Sequence, residues 1–96
     1  MSSQKTTFNI EDAKELRDQL VQMRQFLRAE WQGVSSQARS LQMTWHDRQQ
    51  SVFDEYYLKM IEAPYAGVER ELDQYISFVD NQIRIAEEIN GRIGNL

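Results

Sequence analysis

Leu41-Gln42-Met43-Thr44-Trp45-His46-Asp47 lies at the middle of a 96-residue chain. One apolar rhythm runs up to Trp45, and another begins after Asp47. Whether the backbone turns at this point or runs straight on decides the fold.

Upstream, Ala13, Leu16, Leu20, Met23, Leu27, Trp31, Val34, Ala38, Leu41 and Trp45 step by three or four residues without a gap. That spacing puts all of them on one face of a helix. The consecutive steps of four at Met23, Leu27 and Trp31 relax a coiled-coil supercoil locally. Asn9 is the expected N-cap, its side-chain oxygen accepting from a first-turn N–H. Glu11 and Asp12 follow where the helix dipole favours negative charge. Gly33 costs about 1 kcal/mol relative to Ala; it either admits a neighbouring helix or marks a bend.

Downstream, Asp47 is the expected cap of a second helix, with Gln50 completing a capping-box-like pair; Thr44 is the competing cap. The second apolar face runs Phe53, Tyr57, Met60 or Ile61, Tyr65, Val68, Leu72, Tyr75 or Ile76, Val79, Ile83, Ala86 and Ile89 or Asn90. Pro64 interrupts it, removing a hydrogen bond and crowding the preceding turn. A kink or a short break is expected there. Asn90-Gly91 reads as the stop. The expected organisation is a flexible lead over residues 1–8, helix one over about 10–44, a turn over about 45–48, helix two over about 49–90, and a flexible tail over 91–96.

Two long helices joined by so few residues must lie antiparallel. In that arrangement Lys14, Arg17 and Arg24 fall alongside Asp80, Asp73 and Glu69, a basic edge facing an acidic one. Val21, Phe26, Tyr56, Leu58, Ile76 and Phe78 remain off or at the margin of the two faces. A short chain with surplus apolar positions buries them against a partner. The expected fold is therefore all-α: an antiparallel two-helix hairpin dimerising into a four-helix bundle. Its interface is expected to draw on Leu20, Leu27, Trp31, Val34, Tyr57, Tyr65, Val68 and Leu72.

Composition narrows the function. Four Gly and one Pro supply few turns, which favours helices over a many-stranded sheet. A net charge of −4 argues against nucleic acid, which needs a concentrated basic surface. With no cysteine there is neither a disulfide framework nor a thiolate metal site. No apolar run approaches the ~20 residues of a membrane span, so membrane insertion is not expected. Residues 1–7 lack the apolar core of a signal peptide. A cytoplasmic location is expected, and any export would use a signal-peptide-independent route.

No catalytic, cofactor or metal site is expected. His46 is the single histidine and reads as a solvated turn residue, because a multi-histidine site would need several chains. Adjacent carboxylates such as Asp54-Glu55 and Glu87-Glu88 diverge by about 100° on a helix, so they do not converge on one site. No histidine is placed to activate a serine. Phe53, Tyr56, Tyr57, Tyr65 and Tyr75 sit at helical spacing and read as core rather than as a ligand box.

Around Trp45 the chain resembles the WXG family, the helical hairpins related to the early secreted antigenic target proteins of type VII secretion. A tryptophan closes helix one at mid-chain, a short polar turn follows, and the aromatic Phe53 comes eight positions later. That spacing lets Phe53 fold back over Trp45. The turn motif is Trp45, His46, Asp47 and Phe53. It lacks the family's glycine. A literal Trp31-Gln32-Gly33 occurs, but it interrupts a rhythm that continues to Trp45, and its +8 position is Arg39. The family's Tyr-x-x-x-Asp/Glu export element has its nearest counterpart in Tyr75 and Asp80, one residue too far apart. The resemblance implies a non-enzymatic substrate or targeting partner of a type VII-like system. The implied partners are itself or a paralogous hairpin, with a secretion ATPase or a larger effector beyond. The alternative is a cytoplasmic adaptor or small chaperone that binds a larger effector.

Overall fold

The computed structural model describes residues 8–94, with side chains described through residue 91. The leading residues 1–7 and the last two, assigned to a flexible lead and tail, lie outside the described residues. What is described is all-helical, with no strand. Helix α1 spans Ile10–Thr44 and α2 spans Gln50–Tyr57. A π-helical turn, Leu58–Glu62, joins α2 without a break to α3, Ala63–Gly94.

Asn9 caps α1 as its residue type predicts, accepting from the Asp12 backbone N–H at 3.0 Å. The connection is built differently from a capping box. Asp47 Oδ1 accepts from the Gln49 N–H at 2.8 Å, and Asp47 O from the Gln50 N–H at 3.2 Å. Gln50 does not reach back to Asp47. Its amide crosses the turn and donates to the Gln42 carbonyl at 2.9 Å, satisfying an orphan acceptor at the end of α1. Thr44 caps nothing downstream; its hydroxyl donates back to Leu41 O at 3.2 Å. No described residue has positive φ, so the turn makes no demand for glycine.

Pro64 neither breaks the helix nor ends it. The preceding turn widens instead, with the Ala63 N–H bonding Leu58 O, five residues back. The wide turn absorbs one extra residue, and that corrects the phase of the aromatic positions. Tyr57 and Tyr65 are eight residues apart, which in a regular α-helix leaves them roughly 80° out of line. With the π-turn between them, both stack on Trp31, at centroid distances of 6.2 and 4.4 Å. Downstream, α3 runs three residues past the stop expected at Asn90-Gly91, to Gly94. A glycine ends a helix when it turns left-handed, and Gly91 has no positive φ.

Along α1 the residue numbers rise as those of their α3 partners fall. Lys14 pairs with Glu87 at 2.9 Å, Arg17 with Asp80 at 2.8 Å, Arg24 with Asp73 at 2.8 Å and Arg28 with Glu69 at 3.1 Å. The helices therefore run in opposite senses. Basic and acidic edges meet as expected, but Lys14 reaches Glu87, and Glu69 is taken by Arg28. The molecule is a single layer, 73 × 26 × 15 Å. Its buried apolar centre is three residues of α3: Ile76, Val79 and Ile83. Ile76, expected either on the second apolar face in place of Tyr75 or at its margin, thus lies in the core.

Gly33 lies mid-helix on the side of α1 turned away from α3. Among the described residues, a Cβ built there would meet nothing within 4 Å, so no described helix packs against it. Gly33→Ala is expected to stabilise the fold by about 0.5–1 kcal/mol, read as a rise in the denaturant midpoint at constant m-value.

Candidate interaction surface

The layer has two unlike faces. On one, the ion pairs from Lys14–Glu87 to Arg28–Glu69 bridge the seam between α1 and α3. These contacts perturb the groups that make them. Lys14 is pushed up chiefly by its hydrogen bond to Glu87 and that carboxylate's charge. Arg17 is pushed up by its hydrogen bonds to Asp80 and then Asp18. The Tyr65 phenol, under the same edge, is raised first by burial and then by the neighbouring Glu69 carboxylate.

The other face is apolar and open. On α1, Leu16, Met23, Val34 and Leu41 are 41–47% exposed, and steps of seven or eleven residues keep them on one side. On α3 and the π-turn, Ile61, Val68 and Tyr75 recur every seven residues and are about half exposed. An open groove at mid-layer is lined by Leu27, Trp31, Val34, Ile61 and Tyr65, with Glu30 on its rim. Tyr75 stacks on Phe78, 6.2 Å away, which extends the patch outward along α3.

The eight side chains expected at an interface divide between two roles. Leu20, Trp31, Tyr57, Tyr65 and Leu72 are half-buried in the seam of this chain, as is Leu27 at the groove wall. Val34 and Val68 are exposed on the open face. The residues that complete that face, Leu16, Met23, Leu41, Ile61 and Tyr75, had been placed on the two helices' main faces. The seam is rotated toward Lys14, Arg17, Arg24 and Arg28 by their ion pairs. The broad apolar stripe of α1 is therefore split, half entering the seam and half facing outward. The signal was its width: a stripe with two apolar positions in most turns is wider than one neighbouring helix can cover.

At the turn, the Trp45 and Phe53 rings meet at 5.2 Å, tilted by 46°. The Trp45 indole N–H donates to Asp47 Oδ1 at 2.6 Å, and His46 is exposed beside it. One carboxylate oxygen thus ties the indole to the start of the next helix. Asp47→Ala removes both bonds at once and is expected to destabilise by about 1–2 kcal/mol. Asp47→Asn, which keeps an acceptor oxygen, should recover much of that loss in the same denaturation assay.

Among the described residues no group of three or more His, Cys, Asp or Glu is arranged to hold a metal ion. No helix of the described chain is long and apolar enough to cross a membrane. Comparison with protein-family models found none that matches, and neither a curated protein nor a solved structure matched the chain.

Proposed function

We propose that the chain is a non-enzymatic helical hairpin that acts by protein–protein recognition. Its open apolar face buries against a second helical hairpin, a copy of itself or a paralogous chain, to make a four-helix bundle. The observation that carries this reading is the contrast, among the described residues, between three buried apolar residues and the row of large exposed ones on a single face.

The Trp45–Asp47 turn with Phe53 packed over it supports the resemblance to WXG-family substrates or targeting partners of type VII-like secretion. In that role the bundle presents a helical face to a secretion ATPase or a larger effector. The test compares culture supernatants of producing cells with and without the secretion ATPase. Export that depends on the ATPase supports the secretion role. Retention inside the cell in both strains, with a hairpin partner co-produced, removes it and leaves an adaptor for a larger effector.

A further inference from the structure

The charges bordering the open face say what kind of chain covers it. At 100° per residue, the border of the α1 stripe holds Asp12, one turn before Leu16, and Glu30, one turn before Val34. On α3 the border holds Glu71, between Val68 and Tyr75. All three are exposed, and none enters the ion pairs of the described residues. No Lys or Arg of the described residues lies along this border from Leu16 to Leu41 or from Ile61 to Ile89. The basic residues of α1 from Lys14 to Arg28 are engaged on the opposite face. Arg48 and Lys59 lie at the turn end, beyond this stretch; Lys59 sits beside Val52 and Tyr56 and is held by Glu55 at 2.8 Å.

We infer that the partner seated on this face is a different chain, an amphipathic helix or hairpin whose apolar stripe is bordered by Lys or Arg. The inference rests on the face being a protein-docking surface. A second copy would present the same acidic border, with Glu30 and Glu71 near mid-layer and no Lys or Arg beside them, and like charges facing across an interface oppose association. A basic border would instead meet three free carboxylates.

Two synthetic amphipathic peptides of about 25 residues, long enough to be helical when docked, separate the cases. They share one Leu/Ile stripe, bordered by Lys in one and by Glu in the other. Titrated against the intact chain by fluorescence anisotropy, the Lys-bordered peptide is expected to bind about tenfold more tightly at low salt, a margin that narrows as salt rises. The double variant Glu30→Lys/Glu71→Lys should reverse the preference. Glu15→Lys/Glu88→Lys makes the same change in net charge on the sides of the helices turned away from the seam, and should leave the preference in place. Equal affinities, or a preference that Glu30→Lys/Glu71→Lys does not move, would overturn the inference. So would sedimentation showing the chain self-associating more tightly than it binds the Lys-bordered peptide, although the docking reading would then stand. If the chain binds neither peptide and does not self-associate, both fall.

Discussion

Trp31→Ala is expected to lower the stability of the chain by about 3 kcal/mol and its Tm by more than about 10 °C. The ring lies nearly parallel to Tyr65, at 7° and 4.4 Å, and Tyr57 stacks on it from the other side of the π-turn. It is the joint between α1 and the helix that follows the turn. Tyr57 in turn stacks on Phe53 at 6.3 Å, and Phe53 meets Trp45. The ladder therefore carries packing from the turn to mid-layer. Beyond it the seam depends on Ile76, Val79 and Ile83, so losing Trp31 divides the molecule's sparse packing into two separated pieces. Thermal unfolding by circular dichroism measures the change. Trp31→Phe, which keeps an aromatic face, should lose less than half as much.

The second large effect concerns association. Val34→Asp/Ile61→Asp places two charges in the groove at the middle of the open face. Both side chains are about half exposed in the isolated chain, at 47% and 46%, so the folded chain tolerates the change with little loss of helicity. A covering chain would have to desolvate both carboxylates. Affinity for the native partner, or for the Lys-bordered peptide if the partner is not in hand, is expected to fall more than about 100-fold. Surface plasmon resonance with immobilised chain reads this directly. Unchanged helicity by circular dichroism separates lost binding from lost folding.

How much of this was legible in the sequence follows from what each pattern encodes. The step of three and four residues from Ala13 to Trp45 describes a helix whatever it packs on, and α1 ends at Thr44. Asn9 caps it through a local bond that needs no tertiary context. The aromatic spacing from Trp45 to Phe53 likewise anticipated a contact across the turn. Phase was harder. The eight residues between Tyr57 and Tyr65 do not suit a regular helix; Pro64 suggested a kink or break, and the helix continues unbroken through a π-turn that the sequence did not specify. With that phase uncertain, the second face offered Tyr75 or Ile76 without deciding between them; Ile76 is buried and Tyr75 is half exposed.

The charged edges of the seam were legible, but which apolar residues enter it was not, for another reason. Hydrophobic period locates an apolar stripe, but not which edge of that stripe a neighbouring helix occupies. Four ion pairs decide it, and they depend on the register of two helices separated by dozens of residues. Only with that register in hand do Leu16, Met23, Val34 and Leu41 separate from the seam residues beside them. Gly91 shows the same limit at a smaller scale. Asn-Gly is a common helix stop, yet the glycine ends a helix only if it turns left-handed, and here it does not.

The measurement that bears most directly on the central claim is site-specific photocrosslinking in cells that make the protein. A photoreactive side chain at Val34 lies in the open apolar face; one at the exposed Gln25, nine residues away, lies on the opposite side of the same helix. A covered face predicts a discrete, reproducible adduct from position 34 and none from position 25. No adduct from either position, or equal adducts from both, would mean that the apolar face is not an interface.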